Sequence, residues 1–576
     1  MNKNISNIIS IAILLMLVYS IFFIEKEPKK YLPLVPYTYD IVIKNGLIYD
    51  GSGTKPFMGD VGIIDDKIAY VGKSKNLKSK RTIYAFGKAV SPGFINMLSW
   101  AVDDVIIDGR SQGDIRQGVT LQVFGEGVSM GPLNDEMLEN RSANGLGVGD
   151  VGYDLNWVTL GEYLQFLEDK GVSNNVASFV GATTLRIHQV GYENRPPTET
   201  ELDSMKMLVR QAMEEGAMGI GSSLIYAPAF YAATDELIEL CKVAAEYGGM
   251  YISHIRSEGN RFLESVDELI TIASEAGIDA EIYHLKAGGK DNHYKLDLVI
   301  DKVDSARSAG LNITADMYTY TAGATGLDAS MPPWVQEGGY EEWKRRLQDP
   351  EIRAQVMKEI NTPTDEWENL YLQAGSASKM ILVGFANPDL RYLTGKTLQE
   401  AADILKKDPV ETMMDLVIED GSRVGTVYFI MSEENIKKKI AIPWMRFGSD
   451  AGSMTPEGIF LESNTHPRAY GNFARLLGKY VRDEGIISLE EAIKKLTSNP
   501  AKTLKIKNRG VLKEGYYADV VIFDKNTIKD HSTFSKPHQF STGVKHVIVN
   551  GMHVLKNGFH TGETPGKFIK GPGFKE

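Results

Sequence analysis

The chain has 576 residues, 43% hydrophobic, 24% charged and 9% aromatic, a balance that excludes a disordered, collagenous or low-complexity protein. Its 63 Lys and Arg against 75 Asp and Glu leave a net charge of −12, and such a surface repels polyphosphate, so nucleic acid is not an expected partner. The single cysteine, Cys241, excludes an intramolecular disulfide or a thiolate metal cluster. It reads as a small buried hydrophobe in a helical stretch beside Leu237 and Leu240.

Residues 5–24 are strongly apolar, interrupted only by Ser6, Asn7, Ser10 and Ser20, and are followed by the run Glu25-Lys26-Glu27-Pro28-Lys29-Lys30. About 20 apolar residues are long enough to cross a bilayer. No small-x-small cleavage site and no lipid-accepting cysteine follow, so residues 1–30 are expected to be an uncleaved anchor. A cleaved signal is the alternative. Either places the rest of the chain outside the cytoplasm, anchored to the membrane or periplasmic.

Residues 38–90 read as short β-hairpins. Ile41-Val42-Ile43 and Leu47-Ile48-Tyr49 flank a Lys44-Asn45-Gly46 turn, and Gly62-Ile63-Ile64 and Ile68-Ala69-Tyr70 flank Asp65-Asp66-Lys67. The same texture returns in residues 508–576, at 519–523 and 547–551. Isolated hairpins are marginal, so both chain ends are expected to build one small β-domain. Between them, over residues 91–507, the rhythm is strand, loop, helix. Buried strands are expected to end near Met97, Phe124, Val180, Ile220, Ser253, Tyr283, Ala315 and Phe447. Helices over 199–215, 234–247, 261–276 and 294–309 each stop at a glycine. Eight such units imply an α/β fold, a distorted (β/α)8 TIM-like barrel. Residues 328–440 exceed one unit and are expected to be an insertion over the barrel mouth.

Barrel chemistry sits at the C-terminal strand ends. Those positions carry Glu126, His254, His284, Asp316 and Asp450. Two imidazoles and a carboxylate from different strands suit a three-ligand site for a borderline metal such as zinc. An open fourth position lets such an ion acidify water and polarise a carbonyl, and Asp450 is placed to move the proton to a leaving amine. His188, His293 and the histidines from 531 to 560 read as surface. Gly125-Glu126-Gly127 is no phosphate loop, and there is no Gly-x-Ser-x-Gly elbow.

These residues lie in motifs that resemble the N-acyl-D-amino-acid deacylases, the D-aminoacylase branch of the metal-dependent amidohydrolases. The resemblance covers about residues 40–573. It is carried by Ser91-Pro92-Gly93-Phe94-Ile95, Gly118-Val119-Thr120, Ser253-His254-Ile255-Arg256-Ser257-Glu258-Gly259 and His284-Leu285-Lys286-Ala287. It continues through residues 315–323, Phe447-Gly448-Ser449-Asp450 and His466-Pro467-Arg468-Ala469-Tyr470-Gly471. The resemblance implies a β/α barrel with a β-domain from both ends. It implies metal ligation by His254, His284 and Glu126, catalysis by Asp450, and binding of the substrate α-carboxylate by Lys286, Tyr318 and Arg468. A guanidinium and an ammonium suit that carboxylate, although a structural salt bridge is the competing reading.

One departure stands out. Where the family usually has Asp-x-His-x-His, this chain reads Asn96-Met97-Leu98-Ser99-Trp100, and neither Leu98 nor Trp100 can ligate a metal. The expectation is therefore one divalent ion, zinc by preference, in a hydrolase acting on an N-acyl amino acid. The alternatives are a silent barrel kept for binding or scaffolding, and a D-residue dipeptidase or cyclic amidase.

Overall fold

The computed structural model describes residues 38–139 and 155–576. The apolar segment 5–24 lies outside them. Among the described residues no helix is long and apolar enough to cross a membrane.

Among the described residues both chain ends meet in one nine-stranded sheet. Thr38–Ile48 pairs antiparallel with Phe57–Ile64 and parallel with Lys78–Tyr84. Ala89–Pro92 pairs antiparallel with Val520–Phe523, which pairs in turn with Val544–Val549. The expected turn at 44–46 is a bulge within one continuous strand. Asn45 takes the left-handed conformation (φ 58°), and a Cβ on Gly46 would stand 2.4 Å from Val90 Cγ2, so the chain kinks there without reversing. The Asp65-Asp66-Lys67 turn does join two antiparallel strands, Phe57–Ile64 and Lys67–Gly72. His553, expected at the surface, is buried in this sheet beside His546; burial carries both imidazoles down to about 4.

The barrel follows. Phe94–Asn96, Val119–Phe124 and Asn175–Ser178 run parallel. The third strand breaks at Phe179 and resumes as Val180–Gly181 to pair with Gly219–Ser223. Met250–His254, Asp279–Ile282 and Ile313–Ala315 continue the same parallel order. Residues 445–450 close the circle without a regular ladder. Met445 bridges Ala315 on one side; on the other, Met97 N donates to Phe447 O (3.1 Å) and Asp450 N to Leu98 O (2.9 Å).

The outer helices follow from their ends. Glu199–Glu215 begins at a Thr198–Glu201 capping box and stops at left-handed Gly216. Thr234–Glu246, Phe262–Ala276 and Lys295–Ser308 lie where the periodicity placed them. Cys241 is a buried free thiol on Thr234–Glu246. The insertion expected over 328–440 has its own apolar cluster around Leu347, Val356, Leu382 and Met413, and its three-stranded sheet, Gly425–Tyr428 between Met380–Gly384 and Gly323–Gly326, begins a few residues before the expected bound. It reaches the loops after the fifth and sixth barrel strands. Ser257 Oγ donates to Glu368 Oε2 (2.6 Å) and Glu258 N to Glu368 Oε1 (3.2 Å).

Candidate functional site

Glu126, His254 and His284 come from loops or ends of the second, fifth and sixth barrel strands and meet at the mouth. One ligand atom from each lies within 4.8 Å of the others, and all three side chains are buried. Glu126 Oε1 faces His284 Nε2 at 2.8 Å and His254 Nδ1 at 3.1 Å. The His254 Nε2 atom is buried and makes no hydrogen bond, with Glu258 Oε2 at 3.4 Å. The two rings stand edge to face with centroids 4.4 Å apart, and the Tyr226 ring meets His254 edge-on at 5.4 Å. Two imidazoles and a carboxylate converging in a buried mouth fit a divalent ion.

Electrostatics hold this cluster together. Burial works against ionisation of Glu126, but the His284 charge and the bonds from both imidazoles overcome it and hold the carboxyl well below its usual range. Burial and Lys286 press His284 down, yet Glu126 and Glu258 outweigh them and carry it up to about 10. A cation at this place answers the same surplus of negative charge.

Glu258 belongs to the centre and was visible in the sequence only as part of a motif. Its carboxylate touches Lys286 Nζ with both oxygens at 2.7 Å and His284 Nδ1 at 3.1 Å. Lys286 Nζ also lies 2.7 Å from His284 Nδ1. The lysine directs its hydrogens to the two Glu258 oxygens, and Glu258 Oε1 also faces His284 Nδ1. Arg256, next in the same motif, turns outward to Glu268 and to the carbonyls of Phe230 and Ala232.

Asp450 and Arg468 form a second group beside the first. Arg468 Nη1 lies 2.8 Å from Asp450 Oδ2, and both side chains are nearly buried. The guanidinium stacks over the Tyr318 ring at 4.4 Å. The Tyr318 hydroxyl and Arg468 Nε are buried and have no hydrogen-bond partner. Burial raises the Asp450 carboxyl although Arg468 opposes it. Asp450 and His284 both take left-handed backbone conformations, φ 50° and φ 34°. The conformation costs about 1 kcal/mol or more for a residue with a Cβ. It is held at His284 by a bond from its N–H to Asp316 Oδ1 (2.9 Å). Asp316, itself at a strand end, therefore supports the backbone of the sixth-strand loop.

Leu98 is fully buried in the barrel core. Trp100 stays at the mouth and donates from Nε1 to Glu126 Oε2 at 2.7 Å. Nearby Asp104 accepts from Ser453 N (2.8 Å) and takes no part in the cluster.

A barrel with carboxylate and imidazole groups at its strand ends, capped by a sheet from both termini, is an amidohydrolase architecture. The amidohydrolase family profile matches residues 187–555, and the chain belongs to that family. It is 29% identical over 534 residues to a D-aminoacylase of Alcaligenes xylosoxydans xylosoxydans, covering 92% of this chain and 97% of the relative. Its fold is similar to that of N-acyl-D-glutamate deacylase from Bordetella bronchiseptica, solved with zinc and a phosphonate mimic of the tetrahedral intermediate. The TM-score is 0.78 at 26% identity, over 93% of this chain and 100% of that one. A D-aminoacylase structure concerned with its binuclear metal centre, with one-metal activation and second-metal attenuation, is similar at TM-score 0.77 and 28% identity, covering 92% of this chain and 100% of that one.

Proposed function

We propose that this protein is a metal-dependent hydrolase that cleaves the amide bond of N-acyl-D-amino acids, with Glu126, His254 and His284 holding one ion, zinc by preference. The observation that carries the reading is the convergence of those three side chains beside the Asp450–Arg468 pair. When bound, such an ion supplies Lewis-acid polarisation of the acyl carbonyl and acidifies water. Asp450 takes the proton of the attacking water and returns it to the amine as the C–N bond breaks. Burial raises its carboxyl, which favours holding a proton between the two steps. Arg468 Nε and the Tyr318 hydroxyl, both unpartnered, receive the α-carboxylate. Lys286, neutralised by Glu258, lies 5.9 Å from the centre of the same Tyr318 ring and lines the wall without adding net charge. The carboxylate oxygen of Glu126 is a hard ligand and widens the choice of ion toward manganese or iron.

The test is metal content measured together with hydrolysis of a panel of N-acyl-D- and N-acyl-L-amino acids. D-selective turnover that follows metal content is expected. No turnover by fully metallated protein, across acyl groups and D-residue dipeptides, would overturn the reading in favour of a binding or scaffold protein. The apolar run at residues 5–24 supports a further part of the proposal, that the barrel works outside the cytoplasm on a membrane tether. Recovery of the intact chain in the soluble cytoplasm after fractionation would refute that part alone.

A further inference from the structure

The substitution at position 100 does more than remove a ligand. Both imidazoles face Glu126 Oε1, whereas Oε2 receives the Trp100 indole N–H at 2.7 Å. An indole nitrogen donates and never ligates. Trp100 is itself fixed: its backbone N donates to Ala451 O (3.0 Å), and Ser99 and Ala451 form a parallel bridge. The tryptophan therefore stands on the seam between the first and eighth barrel segments, one residue from the Asp450 backbone. Leu98, two residues earlier, is sealed in the core and offers no donor atom to the mouth.

We infer that Trp100 is a positioning residue, which holds Glu126 as a one-oxygen ligand turned toward His254 and His284 and keeps its second oxygen from any further ion. The inference rests on the metal reading above. A carboxylate that joins two ions presents one oxygen to each; here the second oxygen is taken by a charge-assisted hydrogen bond. The bond also fixes the side-chain torsions of Glu126, so the carboxylate is oriented before an ion arrives. Groups that orient a metal ligand from behind change metal affinity by about 10- to 100-fold when removed.

The experiment uses the full-length protein and its Trp100→Phe and Trp100→Gln variants. Phenylalanine keeps an aromatic ring and loses the N–H, whereas glutamine loses the ring and keeps an N–H of similar reach. Three readouts are taken: metal retained after dialysis, zinc affinity by competition with a chelator, and the visible spectrum of the Co2+-loaded protein. Wild type is expected to retain one equivalent. Trp100→Phe should also hold one, bound about 10- to 100-fold more weakly. Its Co2+ bands should lose intensity as the freed Oε2 joins the ion and raises the coordination number. Trp100→Gln should recover affinity and spectrum toward wild type. Wild-type affinity and an unchanged Co2+ spectrum in Trp100→Phe would overturn the inference. So would equal losses in both variants, which would trace the effect to ring packing. A wild type that retains no metal would refute the metal reading itself, and is separable from either result.

Discussion

Replacing Arg468 with methionine removes a guanidinium whose charged partner, Asp450 Oδ2, lies 2.8 Å away in a nearly buried pair. At an effective dielectric of about 20, two unit charges at that distance attract by about 6 kcal/mol. Desolvation consumes much of this, and breaking a buried pair costs about 3–5 kcal/mol in practice. The Asp450 carboxyl, already raised by burial against the opposing Arg468 charge, then rises further. Turnover falls for every substrate, because the proton carrier has lost its counter-charge. Binding is therefore the discriminating readout. A non-hydrolysable N-sulfonyl-D-amino acid and its carboxamide are titrated calorimetrically into wild type and Arg468→Met. A charge-assisted hydrogen bond is worth about 1.5–3 kcal/mol, so the carboxylate ligand should lose roughly 10- to 150-fold in affinity. The carboxamide should lose far less. Equal losses for the two ligands would show that Arg468 serves Asp450 alone and does not meet the α-carboxylate.

Three more outcomes are expected. His254→Ala and His284→Ala should each lose both metal and activity, while Asp450→Asn should lose activity and keep most of its metal; elemental analysis after dialysis of the three variants checks this. Lys439 is buried against Leu285 O (2.5 Å), and burial followed by the Lys286 charge lowers its ammonium to about 7 from 10.5. Between those values the unfolded chain holds a proton that the folded chain lacks, so this group makes stability rise with pH across that window. Lys439→Met should be more stable than wild type below pH 7 by roughly 1–4 kcal/mol and lose the advantage toward pH 10.5, as read from urea unfolding at several pH values. Burial pushes the Cys241 thiol up, so a thiol reagent should label it only when the barrel opens; rapid labelling of native protein at neutral pH would contradict its place in the core.

The barrel was legible because its strands are short apolar runs and its helices end at glycines, signals that local sequence carries. The eighth segment was placed by its Phe447-Gly448-Ser449-Asp450 motif, yet it forms no regular ladder, a feature decided by both neighbours at once. The bulge at Asn45 looked like a turn because a left-handed asparagine before glycine serves either purpose; only the packing of Gly46 on Val90 separates them. Glu126, His254 and His284 were readable as strand-end residues. Glu258 was not, since its role depends on Lys286 and His284 folding back onto it from the next strand. Trp100 was readable only as an absent histidine, because its hydrogen bond to Glu126 joins residues 26 positions apart in the loops after two different strands.

The shared terminal sheet has a consequence for how the chain is made. Ala89–Pro92 finds its antiparallel partner in Val520–Phe523, about 430 residues later. At a synthesis rate of roughly 5–20 residues per second, the amino-terminal strands emerge tens of seconds before the strand that completes their edge. For that interval they present unpaired N–H and C=O groups of the kind that recruit other chains. The late arrival of Val520–Phe523 therefore works as a latch, covering that edge long after the strands that form it have left the ribosome.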